Sequence, residues 1–149
     1  MIDIDTIGSY NTLKATIPHL KKSRGSILFV SATLHYRGIV LQAHVSAAKA
    51  AVDALSQVVA VEYGPYAVRS NVISPGGIEG TEGVERLLPS ELRGTSLNTI
   101  PLGRLGTVDD IADCTGTFIS ALPLSISLPP FVVWWICVAG DVNYSIHLQ

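Results

Sequence analysis

Apolar residues recur at helical spacing along the first twenty positions. Ile4, Ile7, Leu13, Ile17 and Leu20 predict a helix over residues 3–22, and Lys21, Lys22 and Arg24 sit where the helix dipole favours cations. Pro18 falls inside that pattern and is expected to kink or shorten it. Gly25 stops the helix. Ser26, Ile27, Leu28, Phe29 and Val30 then form an apolar run too brief for a helix, which predicts a strand buried on both faces of a parallel sheet.

A loop from about Thr33 to Gln42 leads into the clearest helix, spanning residues 43–63. Val45, Ala48, Val52, Leu55 and Val59 make one apolar stripe, with Gly64 and Pro65 at its end. A second stripe of small residues (Ala47, Ala50, Ala51 and Ala54) predicts close packing of another helix on that side. Residues 68–73 form the next short strand and lead into Ser74, Pro75, Gly76 and Gly77. Residues 82–92 and 107–118 carry weaker helical patterns. Thr107 is a good N-cap, with Asp109 and Asp110 in the positive first turn.

Helix, strand, helix, strand, helix is the rhythm of a doubly wound parallel α/β sheet. Two strands do not make such a sheet stable alone. The order also begins with a helix, so the chain is expected to be the second half of a larger, Rossmann-like α/β domain that lacks its N-terminal strands here. From Cys114 to Gly140 no residue is charged, a stretch long enough for a membrane span of ~20 residues. Pro123, Pro129 and Pro130 interrupt it, and Ser120, Ser125 and Ser127 dilute it. These favour an aberrant or buried apolar tail over a transmembrane helix. Trp134 and Trp135 are interfacial anchors on one alternative and an exposed, aggregation-prone pair on the other.

The 149 residues fit one domain, and a 48% hydrophobic share excludes global disorder. A formal net charge of -2 removes the electrostatic case for nucleic acid or an anionic membrane surface. Cys114 and Cys137 make neither a disulfide framework nor a metal set, so a reducing compartment is the expectation. The first residues lack the basic and apolar regions of a signal peptide, and the last four are not a peroxisomal address.

Candidate chemistry lies near the predicted strand ends. Lys49, among alanines, is either a solvent-facing lysine or a donor to cofactor hydroxyls that lowers a neighbour's pKa. Pro75, Gly76, Gly77, Ile78, Glu79, Gly80 and Thr81 follow a strand, where open α/β sheets bind ligands, though a structural turn explains them equally. They are not a phosphate-binding P-loop, because no Lys-Ser or Lys-Thr follows the glycines. Asp5, His35, Tyr36 and His44 are the remaining candidates for proton transfer. No cluster has metal-ligand spacing, and no nucleophile elbow is present.

In order, these residues resemble the C-terminal half of a short-chain dehydrogenase/reductase. The resemblance rests on Asp3 to Gly8 with Asn11, Gly25-Ser26-Ile27 leading to Ser31, and the helix around Lys49. Glu62-Tyr63-Gly64-Pro65, Arg69 to Gly76 and Ile100 to Gly106 continue it. It covers residues 1–118 as a partial domain and leaves 119–149 as a non-matching apolar tail. The family's Gly-rich dinucleotide fingerprint has no counterpart in these residues. Most members carry an Asn-Ser-Tyr-Lys tetrad. Lys49 is kept, but Asp5, Ala32 and Val45 stand at the Asn, Ser and Tyr positions, and Val45 cannot donate a proton.

That departure is similar to the peroxisomal branch of the 2,4-dienoyl-CoA reductases, as are Ser31 to Leu34, His44, Ala47 to Ala50 and Gly80 to Gly83. The resemblance implies NADPH-dependent reduction of a 2,4-dienoyl-CoA to a 3-enoyl-CoA in unsaturated fatty-acid β-oxidation. It implies Asp5 and Lys49 as catalytic, with Ser31, Lys49 and Pro75 to Thr81 binding the cofactor. Arg86 would pair with a phosphate of the acyl-CoA. It further implies a homo-oligomer through helices 3–22 and 43–63, and a peroxisomal rather than cytoplasmic location. The alternative is an inactive fragment that keeps only the helical interaction surface.

Overall fold

The computed structural model describes residues 1–87, 97–98, 100, 102–119 and 132–133. The chain opens with a π-helical turn, Ile2–Ile7, that runs directly into α1, Gly8–Ser23. Leu13 and Ile17 are its buried residues, and Leu20 packs on the same core one turn later. Pro18 does not shorten α1. The ring removes one bond to the Lys14 carbonyl, and the packing of Ile17 and Leu20 on either side offsets that loss.

The stop signal is shifted by one residue. Arg24, not Gly25, takes the left-handed conformation (φ 55°), and the Gly25 N–H donates to the Leu20 carbonyl at 3.2 Å. Gly25 is needed for space instead. A Cβ there would stand 3.0 Å from Ser23 Oγ and 3.2 Å from Leu20 Cδ2.

Three parallel strands follow in the order β1 (Ser26–Val30), β2 (Arg69–Ile73), β3 (Val132–Val133). Ser26 lies opposite Arg69 and Val30 opposite Ile73, while Val72 and Ile73 face Val132 and Val133. β3 lies within the segment expected to be a non-matching tail, and it supplies the third strand that the two predicted ones lacked. β1 is not buried on both faces. Phe29 is buried but Val30, on the other face at the carboxyl end of the strand, is 54% exposed. No described helix is long and apolar enough to cross a membrane, and Trp134 and Trp135 lie outside the described residues.

The predicted loop between β1 and the long helix contains one helical turn, α2 (Leu34–Arg37). The long helix is α3, Ala43–Tyr63, with the predicted bounds, and its apolar stripe faces the sheet. Val52 and Val59 join Leu13, Ile17, Phe29 and Val72 in one core, with Leu55 and Tyr63 packed against it. The second stripe is open in this chain: Ala47, Ala50 and Ala54 are exposed. A short 3₁₀ turn, Gly64–Tyr66, and a left-handed Ala67 then return the chain to β2.

Beyond the strands, the β1–β2 ladder continues. The Ser31 N–H donates to the Ile73 carbonyl at 2.8 Å, and the Thr33 N–H to the Pro75 carbonyl at 3.1 Å. α4, Glu82–Leu87, is the described part of the predicted 82–92 helix, whose remainder lies outside the described residues. α5, Val108–Ile119, is closed at both ends. Thr107 Oγ1 accepts the Asp110 N–H at 3.1 Å, and Asp110 Oδ2 accepts the Thr107 N–H at 2.8 Å. At the other end the Arg69 guanidinium donates to the carbonyls of Phe118 (3.1 Å) and Ile119 (3.4 Å), a cation on the negative end of the dipole.

Two outcomes follow for stability. Val59 is 1% exposed, so Val59→Ala lowers the unfolding free energy by about 2 kcal/mol in urea titrations. A loss under roughly 0.5 kcal/mol would remove Val59 from the core. The Arg104 guanidinium, then the Thr107 N–H, hold the Asp110 carboxyl far below the usual carboxylate range. A pKa depressed by folding stabilises fully above the unfolded value and is lost as pH falls through the folded one. Helicity of α5 should therefore weaken on acidification below about pH 4, and Asp110→Asn should remove that acid-dependent step in circular dichroism.

Candidate active site

The site is assembled where β1 ends. Lys49 projects from the second turn of α3, and its Nζ donates to the Val30 carbonyl at 3.1 Å. The next residue returns the contact, Ser31 Oγ donating to the Lys49 carbonyl at 3.2 Å. Lys49 is thus fixed at the carboxyl end of the strand, where open α/β sheets place ligands. The reading of Lys49 as a simple solvent-facing lysine does not describe it, since only 20% of its side chain is exposed.

Asp5 reaches the same point from the opposite side. The π-helical turn is anchored by Thr6, whose hydroxyl donates to the Ala48 carbonyl at 3.3 Å. That contact brings Asp5 Oδ1 to 3.8 Å from Lys49 Nζ, within ion-pair range but too long for a hydrogen bond. Both side chains are about a fifth exposed, so each has room for a further partner. Val45, four residues before Lys49, is buried and carries no ionisable group. Ser31 is buried, with its proton committed to α3.

The Gly-rich turn after β2 is pinned rather than free. The Glu79 N–H donates to the Gly106 carbonyl at 2.8 Å, and the Gly106 N–H returns to the Gly77 carbonyl at 3.1 Å. A Cβ on Gly77 would lie 3.0 Å from Leu105 Cδ2, so this glycine permits close packing. Gly80 has φ 72° with open space around it, the left-handed turn that releases the chain into α4. Thr81 starts α4: its Oγ1 donates to the Ile78 carbonyl at 2.7 Å and accepts the Val84 N–H. Arg86 lies on the exposed face of α4, paired with Glu82 one turn earlier.

Of the other proton-transfer candidates, His44 is exposed in the first turn of α3. His35 and Tyr36 converge on Asp53, a buried residue that carries no motif in the sequence. His35 Nε2 lies 2.8 Å from Asp53 Oδ2, and the Tyr36 hydroxyl donates to the same oxygen. Burial, then the hydrogen bond and charge of Asp53, push the Tyr36 phenol far above the usual tyrosine range, with the Ser74 hydroxyl acting oppositely. Tyr36 therefore remains a protonated donor at neutral pH. A signal for Asp53 did exist: Lys49, Asp53 and Ser56 fall at i, i+4 and i+7, a polar line beside the apolar stripe. Among the described residues no His, Cys, Asp and Glu group could hold a metal.

Known proteins share this framework. A family model for enoyl-(acyl carrier protein) reductase matches residues 1–126. The peroxisomal 2,4-dienoyl-CoA reductase of Saccharomyces cerevisiae is 55% identical over 77% of this chain and 39% of its own length. The Rattus norvegicus protein of that name is 37% identical, matching 100% of this chain and 53% of its own length. An NAD-bound 3-oxoacyl-[acyl-carrier protein] reductase from Brucella melitensis superposes with a TM-score of 0.73 at 26% identity, over 88% of this chain and 47% of that structure. The chain spans about half the length of the proteins it matches. With an α/β sheet, a strand-end lysine and these relatives in agreement, the chain belongs to the short-chain dehydrogenase/reductase family.

Proposed function

We propose that this chain carries the reacting residues of an NADPH-dependent 2,4-dienoyl-CoA reductase, converting a 2,4-dienoyl-CoA to a 3-enoyl-CoA in unsaturated fatty-acid β-oxidation. The observation that carries this is the Lys49 ammonium, fixed 3.1 Å from the Val30 carbonyl and 3.8 Å from Asp5, with no hydroxyl at residues 32 and 45. A site built this way lacks the acid that ordinary ketone reduction needs. It keeps what a conjugated thioester needs, a cation near developing negative charge and a carboxylate able to orient water.

Lys49 fits a nicotinamide ribose: one N–H goes to Val30, and the partly open ammonium has two more to give. NADPH, when bound, supplies the hydride. Lys49 would hold the ribose hydroxyls and add positive potential where charge builds on the thioester oxygen. Asp5 would orient the water that delivers one proton to the α carbon, the hydroxide left behind taking a proton back from solvent. Ser31 supports Lys49 from its carbonyl side. The turn from Pro75 through Gly76, Gly77, Ile78, Glu79 and Gly80 to Thr81 lines the cofactor, with its shape held by the Gly106 bridge. Arg86, three-quarters exposed, exchanges Glu82 for a phosphate of the acyl-CoA. A peroxisomal location follows the names of the relatives.

A second reading has one observation in its favour. Ala47, Ala50, Ala54, Val58 and Val61 form an exposed small and apolar strip along α3. A chain using only that strip, with Tyr10 and Ile7 of the first helical segment, would associate with like subunits and carry out no reduction.

NADPH fluorescence titration of the 149-residue chain, with and without a dienoyl-CoA, separates the two. Saturable binding that Lys49→Ala weakens at least about tenfold supports the reductase. Absence of saturation at millimolar NADPH, with concentration-dependent self-association, supports the second reading. In turnover followed by NADPH absorbance, Asp5→Asn should lower kcat by about 100-fold and leave KM nearly unchanged. An unaltered kcat would take Asp5 out of proton delivery.

A further inference from the structure

We propose that Asp53 is a positioning residue: through His35 and Tyr36 it latches the segment after β1 onto α3 and so sets the wall that faces Lys49. Two turns of α3 grip this segment. The upper grip is Ser31 Oγ on the Lys49 carbonyl at 3.2 Å. The lower grip is Asp53, one helical turn further along, which takes His35 Nε2 at 2.8 Å and the Tyr36 hydroxyl on a single carboxylate oxygen. The His35 and Tyr36 rings pack against each other with centroids 3.9 Å apart, which aims both donors at one point.

The need for such a latch follows from the neighbouring residues. Ala32 and Val45 offer no side-chain hydrogen bonds, so they cannot tie the segment to the helix. From the sheet side, the segment is held by the Thr33 N–H, and more weakly by the Thr33 hydroxyl at 3.5 Å, on the Pro75 carbonyl. The lower grip ties residues 35 and 36 by their side chains to the third turn of α3. Ile39, Val40 and Leu41 in this stretch are exposed, and Leu41 has φ 65°, so they contribute little of their own to holding it.

Charge and hydrogen-bond polarity fix how the latch works. A carboxylate accepts and does not donate, so His35 carries its proton on Nε2 and Tyr36 keeps its own. Asp53 is 7% exposed, and a buried carboxylate with two donors on one oxygen is a strong, directional contact. The significance of the latch for reduction rests on the reductase reading. The latch itself does not.

The test uses hydrogen exchange and histidine NMR on the 149-residue chain, with Asp53→Leu as the variant that fills the site and offers no acceptor. The amides of Thr33, Tyr36 and Gly38, which close this segment, should exchange at least tenfold faster. Those of β1 and β2 should stay within about twofold. His35 should lose its fixed Nε2–H tautomer, and the Lys49 side-chain signals should shift. Tyr36→Phe, which leaves His35 in place, should give a smaller acceleration confined to the same amides. Val59→Ala, a core variant away from the latch, should leave the tautomer unchanged. Unchanged exchange and tautomer in Asp53→Leu would overturn the proposal. So would acceleration spread evenly over β1, β2 and α3, which would make Asp53 a general stability residue. Failure of the wild-type chain to bind NADPH, with the exchange results as expected, would sink the reductase reading and leave the latch standing.

Discussion

A reciprocal pair of hydrogen bonds organises this chain. Val30 gives its carbonyl to the Lys49 ammonium, and the adjacent Ser31 gives its hydroxyl proton to the Lys49 carbonyl. Strand and helix are thereby registered to each other at one residue. The π-helical turn is tied to the same place through Thr6 and Ala48, which is why Asp5, far away in sequence, arrives beside Lys49. The apolar core beneath, from Leu13 to Val72, supplies the cohesion that holds these polar contacts in place. Core and site are thus successive layers of α3: Val52 and Val59 face down into one, while Lys49 reaches the other.

Much of this was legible in the sequence, for identifiable reasons. α3 was readable because Val45, Ala48, Val52 and Val59 repeat at helical spacing and all face the core. β1 was readable as an apolar run too short for a helix, β2 as the short segment between the long helix and the Gly-rich turn, and Thr107 as a cap. β3 was not, because two residues carry no period, and its valines sit in an apolar stretch that resembles a membrane segment. The one-turn α2 escaped for the same reason, since four residues show no stripe. Pro18 misled because a single lost hydrogen bond was weighed without the packing around it. Within the candidate site, Lys49 and Asp5 stood out through motif position. Asp53 did not, because a carboxylate beside an apolar stripe usually faces water, and its partners come from a loop that periodicity cannot place.

Under the proposed reading, the chain illustrates how a family site would change chemistry. Ala32 and Val45 carry no hydroxyl, while the Lys49 ammonium keeps its seat on the Val30 carbonyl. Such an arrangement would stabilise negative charge without supplying acid directly, as the proposed conjugated thioester requires. The same change strips hydrogen-bonding atoms from the site wall. Polar contacts outside the reacting groups then carry more of the burden of keeping it in shape.

Pro75 shapes the end of the β1–β2 ladder by what it lacks. In the β1–β2 register the Ser31 N–H reaches the Ile73 carbonyl, and the return bond would run from the nitrogen of residue 75 to the carbonyl of Ser31. Proline has no proton to give. One rung is therefore missing where the strands end, although Pro75 still accepts from Thr33. The ladder between the two strands is thinned at a fixed residue, and past it the two backbones are joined from the Thr33 side. An imino acid thus sets, by what it cannot donate, how tightly the ends of β1 and β2 are laced.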